Sequence, residues 1–165
     1  MPSALRTRST VDLGSIAHGI AADTAQWLPL VRFDENERWY TRFAATPYYE
    51  VWLLSWLPGQ RTGIHAHGGS AGAFVVAQGT LRENTVDRPW STALDGSRVI
   101  VSQAAFDTGQ VRDFDSHHVH EIVNEGPVPA VSIHVYAPAL DAMSRYRLDG
   151  NVLRLTVSER VGADW

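Results

Sequence analysis

The chain contains no cysteine. Disulfides, thiolate metal ligands and a cysteine nucleophile are therefore excluded, while the redox compartment stays open. It also lacks an excess of basic charge. Fourteen Lys and Arg against eighteen Asp and Glu give a net charge of −4 and a pI near 5.9. That balance offers no electrostatic case for nucleic acid or an anionic membrane as partner. No apolar run approaches the roughly 18 residues of a membrane span, and the N-terminus has no secretory h-region, so a cytoplasmic protein is expected. No G-x-G-x-x-G follows a strand-like run, which argues against a nucleotide site. Repeats, linkers and low-complexity stretches are absent too. What remains is 165 residues, 44% apolar and 19% charged, a composition that suits one globular domain with a sizeable core.

The periodicity divides the chain in two. Leu13, Ile16, Ala17 and Ile20 recur at helical spacing, which predicts a helix over 11–21 with Thr10 as its N-cap. Asp23 can cap a second short helix that Pro29 delimits, with Trp27, Leu28 and Leu30 as its apolar residues. From Trp39 onward the pattern is that of strands: 39–43; 48–57, apolar on both faces; a hairpin of 72–78 and 81–86 about Gly79; 98–103 after the two-residue turn Asp95-Gly96; then 119–123, 130–137 and 152–157. Many short strands with regular turns behind a helical prefix predict an all-β fold, a small closed barrel or jelly roll at 36–165 with a helical segment at 1–35 packed on it.

Chemistry concentrates in the histidines. His65 and His67 lie two apart, so on a strand both rings leave the same face. A second cluster holds His117, His118 and His120, while His18 sits on the first helix as a surface or core-edge residue. Three neutral imidazoles on one face would make a facial site for a divalent metal such as Fe(II), Mn(II), Ni(II) or Zn(II). Ser132, His134 and Tyr136 alternate with Ile133 and Val135 and so share one strand face. They are either a solvent-facing strand edge or a relay that holds the Tyr136 hydroxyl. A hydrolase triad is a poor fit, since no acid is adjacent and no nucleophile elbow is present. Arg42, in Tyr40-Thr41-Arg42, reads alone as a surface charge. Turned into a barrel, it would need an anion, and its fork suits a carboxylate.

The stretch Pro58–Gly79 resembles the first cupin motif, with Gly59, His65, His67 and Gly79 in place and Gly72 where the motif has glutamate. Gly109, His120 and Asn124 fit the second motif, which selects His120 as third ligand and leaves His117 and His118 on the approach turn. Together with Ser132-x-His134-x-Tyr136 and Tyr40-x-Arg42, residues 36–140 resemble the thiol dioxygenases, most closely the bacterial type of cysteine dioxygenase. The resemblance implies Fe(II) on His65, His67 and His120, and L-cysteine chelating it through sulfur and amine. It implies Arg42 and Tyr40 on the substrate carboxylate, Tyr136 bonding near the substrate and dioxygen, and His134 and Ser132 behind it. The implied product is cysteine sulfinate. Animal members carry at Gly72 a cysteine linked to the tyrosine, so Tyr136 here must act unmodified. Relatives that prefer 3-mercaptopropionate tend to carry glutamine at the arginine, so Arg42 favours cysteine. Another small thiol, or a non-catalytic cupin binding a small ligand around a zinc or no metal, are the rival readings. A monomer or weak homo-oligomer is expected.

Overall fold

A computed structural model describes residues 11–160. Two helices, α1 (Leu13–Ala22) and α2 (Thr24–Trp27), and a 3-10 turn at Leu28–Leu30 precede eleven strands. These are β1 (Tyr40–Ala45), β2 (Glu50–Trp56), β3 (Ile64–Ala66), β4 (Ala71–Gln78), β5 (Thr80–Asp87) and β6 (Ile100–Asp107). They continue with β7 (Val111–Phe114), β8 (Val119–Val123), β9 (Ala130–Ala137), β10 (Ala142–Asp149) and β11 (Val152–Arg160). One sheet runs β1-β2-β9-β4-β7 and the other β11-β10-β3-β8-β5-β6, with antiparallel pairing within each.

Helix α1 explains why β2, β4 and β9 are apolar on both faces. Its Leu13 and Ala17, with Trp27 of α2, pack on Val51, Leu53, Ala73, Val75, Val131, Ile133 and Val135. The opposite faces of the same strands supply Leu54, Trp56, Phe74, Val76 and Tyr136, which meet Leu81 and Ile122 of the second sheet. The helix opens on Asp12, whose carboxylate accepts from the Ser15 amide at 2.9 Å. This replaces the expected cap, since Thr10 lies outside the described residues and Asp12 satisfies the free amide of the first turn. At Asp23 the side chain makes no capping bond.

Three expected elements differ. The chain at Gly79 is not a hairpin: β4 pairs with β7 and β9, whereas β5 pairs with β6 and β8. Gly79, at φ +80°, is the corner where the chain changes sheets, and a Cβ there would stand 2.9 Å from the Pro129 carbonyl. Asp95-Gly96 is not a two-residue hairpin turn: it lies within the long 88–99 loop that joins the paired strands β5 and β6. Its loop docks on β11, with Gly96 N–H donating to Leu153 O at 2.7 Å and Leu155 N–H to the Asp95 carboxylate at 2.9 Å. The strand that follows is 100–107, and β3, β7 and β10 are additional strands. Asn124 ties the two motif turns together. Its side-chain amide donates to Trp56 O and Val128 O, its backbone N–H donates to Gln60 O, and its carbonyl accepts from Gly59 N–H.

Candidate metal centre

His65 and His120 face each other across the β3–β8 pair, and His67 follows one residue past the end of β3. All three are buried. Their ring centroids lie 4.7–5.0 Å apart, and one nitrogen from each falls within 4.8 Å of the others. The tautomers follow from the outer bonds. His65 Nδ1 lies 2.9 Å from Gly63 O and His120 Nδ1 lies 2.7 Å from Glu83 Oε1. Both outer nitrogens must therefore carry the proton, which leaves Nε2 as a lone pair aimed inward. His67 Nε2 stands 3.3 Å from His120 Nε2, close to the roughly 3 Å spanned by two metal bonds of about 2.1 Å at right angles. The donor set therefore fits a divalent ion held on one face, with no thiolate or carboxylate ligand.

Burial lowers the pKa of all three rings and of His134. The neighbouring imidazoles add to it, and Arg38 adds to it at His65 and His134. The site is thus built from neutral rings. In the unfolded chain the same rings protonate near pH 6.5, so the metal-free fold keeps their full contribution above that value. It loses the contribution as pH falls toward the depressed folded values, by up to about 1.4 kcal/mol per pH unit for each ring. Urea midpoints of metal-free protein are therefore expected to drop steeply between pH 6.5 and 5. A flat profile across that range would contradict four neutral buried rings.

Gly72 shows why no fourth ligand comes from the first motif. It pairs with Phe114 on one side and Tyr136 on the other, and a Cβ would sit 2.5 Å from the Phe114 ring. That ring stacks on both His67 and His118, at 5.0 and 4.9 Å. Aromatic carbon occupies the space a carboxylate ligand would need.

The Ser132–His134–Tyr136 face of β9 points into the barrel, and the apolar alternates face α1. The solvent-edge reading of this strand is thereby replaced. Trp56 Nε1–H donates to Ser132 Oγ at 2.9 Å. The Ser132 proton then has His134 Nε2, at 2.8 Å, as its acceptor. Nδ1–H of His134 is left to donate to Tyr136 Oη at 3.3 Å, so the tyrosine's own proton is free for another partner. Burial pushes the Tyr136 phenol far above its ordinary pKa, so it stays protonated. Trp56, read from sequence only as a strand residue, is the anchor of this chain.

Arg42 does not lie where it was expected. The β1–β2 register sets it opposite Trp52, but its side chain is exposed on the edge strand. The arginine at the site is Arg38, just ahead of β1. Its guanidinium carbon lies 5.0 Å from the Trp56 ring and 6.0 Å from that of Tyr40. Burial lowers its pKa to about 10, and its charge acts on His65, His134 and Tyr136. With Glu35, Glu37, Tyr40, Gln60, Arg61 and Arg145 it lines a cavity of about 550 Å³. Arg38 Nη1 reaches Arg61 O only at 3.4 Å, Nε is buried without a partner, and among the described residues no acid pairs with it.

Sequence reasoning also missed Glu83. It is 1% exposed, and its Oε1 accepts from His118 Nε2 and His120 Nδ1, each at 2.7 Å. Its Oε2 accepts from Arg112 Nε at 2.8 Å. Burial works against the charge, but the two imidazole bonds outweigh it and hold the carboxylate ionised. His118 therefore stands behind His120 and the other two rings, and His117 is exposed at the turn. His18 is exposed on α1.

The profile of the cysteine dioxygenase type I family matches residues 5–148. The chain belongs to that family. Among cysteine dioxygenase relatives, the type 1 protein of Rattus norvegicus is 25% identical over 135 residues, 79% of this chain and 66% of its own length. The Homo sapiens protein is 26% identical over the same shares. The chain thus spans just under two thirds of the relatives it matches. Among solved structures, a double-stranded β-helix protein of Klebsiella pneumoniae superposes with a TM-score of 0.52 at 19% identity, covering 84% of this chain and 90% of that one. A cupin-superfamily sugar phosphate isomerase of Silicibacter pomeroyi gives 0.52 at 17%, covering 73% and 76%. Both share the fold, and the all-β cupin architecture read from the sequence is the one observed. No helix among the described residues is long and apolar enough to cross a membrane.

Proposed function

We propose that the chain is an Fe(II)-dependent thiol dioxygenase that converts L-cysteine and dioxygen to cysteine sulfinate. The observation that carries this reading is the meeting of three buried neutral imidazoles with a half-buried guanidinium that no acid pairs with among the described residues, beside a cavity. An Fe(II) ion on His65, His67 and His120 would supply the electron-transfer chemistry that dioxygen needs. The overall change balances without a further reductant: the thiol sulfur gives up four electrons, both oxygen atoms end on it, and the product is the sulfinic acid.

The protein's own groups bind and orient. Arg38 would fork onto the substrate carboxylate, an anion that would settle the desolvated guanidinium. Tyr40, beside it, closes the same wall. Tyr136 would donate its free phenolic proton to the reacting groups, held in direction by Trp56, Ser132 and His134. Phe74, Leu54 and Leu140 give the interior an apolar lining, which strengthens these polar contacts by excluding water. We place the enzyme in the cytoplasm, in cysteine breakdown, as a monomer or weak homo-oligomer.

An oxygen electrode trace with iron-loaded protein tests the reading, using L-cysteine, 3-mercaptopropionate and cysteamine. One sulfinate per dioxygen consumed, fastest with L-cysteine, is expected. Preference for 3-mercaptopropionate would replace the substrate and keep the reaction. No uptake with any thiol, in protein holding zinc or no metal, would leave a binding cupin instead.

A further inference from the structure

Glu83 belongs to no motif, yet it is as buried as the ligands and is gripped from three sides. Its Oε1 takes the His120 and His118 ring protons, and its Oε2 takes Arg112. The three-histidine set brings no negative charge of its own, and Phe114 closes the position at Gly72 from which a ligand carboxylate could come. We propose that Glu83 is the positioning residue of the metal centre. From behind His120 it supplies the anionic charge that the ligand set lacks, and it fixes the ring in the tautomer that binds.

Two physical arguments support this. First, His120 can present Nε2 as a lone pair only while Nδ1 keeps its proton, and Glu83 is the acceptor that keeps it there. Without that bond the ring can present either nitrogen, and part of the population points an N–H at the ion. Second, two of the three partners of Glu83, His120 and Arg112, differ in solvation. The Glu83–His120 contact is 1% exposed at both ends, whereas the Arg112 side chain is 37% exposed. Water therefore screens the arginine's share of the interaction more than the imidazole's. The carboxylate's field is consequently felt on the dry side, where His120 and the cation stand. His118 braces the same oxygen and is itself stacked on Phe114 at 4.9 Å, which limits the carboxylate's rotation away from His120.

The proposal rests on the His65–His67–His120 site but not on the thiol reaction, and its test uses neither thiol nor dioxygen. Co(II) is the probe, with affinity read by chelator competition and coordination by the visible absorption of the bound ion. Glu83→Gln, equal in size, is expected to bind Co(II) about 10–100-fold more weakly, with a changed visible spectrum. Arg112→Met removes only the screened partner, so its affinity is expected to equal or exceed that of the wild type. A Glu83→Gln protein that binds within twofold of wild type with an unchanged spectrum would overturn the proposal. So would a tenfold or greater loss in Arg112→Met, which would make the cluster a structural unit. If Glu83→Gln does not fold, Glu83→Asp takes its place: the shorter side chain draws the carboxylate back from His120, so weaker Co(II) binding with a changed spectrum is expected, and affinity and spectrum equal to wild type would overturn the proposal. Protein that shows the Co(II) effect but consumes no dioxygen with thiols would remove the proposed reaction and leave this role standing.

Discussion

Alanine at His120 is expected to abolish stable metal binding, whereas alanine at His118, two residues away, is expected to keep it. Removing an outer-layer partner of a metal-binding histidine weakens affinity by about 10–100-fold, so loss of a ligand should exceed that, while loss of His118 should fall at or below its lower end. The contrast follows from where the ring nitrogens go. His120 has one nitrogen on Glu83 and the other aimed at His67. His118 has its Nε2 committed to Glu83 and its ring stacked on Phe114, so it cannot replace a lost ligand without breaking both contacts. Two remaining imidazoles would hold the ion by two points only. Elemental analysis of purified variants, with far-ultraviolet circular dichroism to show that both are folded, makes the measurement. Stoichiometric metal in His120→Ala, or none in His118→Ala, would mean that the ligand set has been chosen wrongly.

The strands that the sequence made readable are those with uninterrupted patterns. β8 and β9 fall at the residues expected, 119–123 and 130–137, because each is apolar enough, or alternates strictly enough, to have one reading. β10 was not readable, since Arg145 and Arg147 break its apolar face and a bulge falls between Arg145 and Tyr146. The corner at Gly79 was misread for a different reason. Period-two patterns report which face is buried but not which strand lies alongside, and a glycine between two strands serves a hairpin and a change of sheet equally well.

The candidate site shows the same limit. His65, His67 and the Ser132–His134–Tyr136 face were legible because spacing puts them on shared faces; His120 was singled out from its cluster only by the resemblance to the second cupin motif, and the fold brings these residues together. Glu83 was not, because a buried acid and a surface acid look identical in a strand such as Leu81–Val86. Arg38 did leave a signal. It lies two residues before Tyr40 and four before Arg42, so all three share one face of an extended chain. Spacing could not tell which end of that face enters the barrel. The observed β1 starts at Tyr40 and is the edge of its sheet; Arg42 on it is exposed, and Arg38 ahead of it lines the cavity.

That choice between arginines gives the second large effect. Arg38→Gln is expected to raise the Michaelis constant for L-cysteine strongly while leaving that for cysteamine, which has no carboxylate, nearly unchanged. Truncating one partner of a buried charged pair costs about 2 kcal/mol or more, which corresponds to roughly 30-fold or more in affinity. Glutamine retains a donor but loses the charge and the fork, so it keeps neither the bidentate geometry nor the field at the carboxylate. Arg42→Gln, at an exposed position, is expected to change neither constant by more than about twofold, as is usual for a surface charge. Steady-state oxygen uptake for both variants with both thiols separates the cases. A cysteine-specific loss in Arg42→Gln with none in Arg38→Gln would return the carboxylate to Arg42. Equal losses with cysteine and cysteamine in Arg38→Gln would show that Arg38 supports the wall formed by Trp56 and Tyr40 and does not hold the substrate.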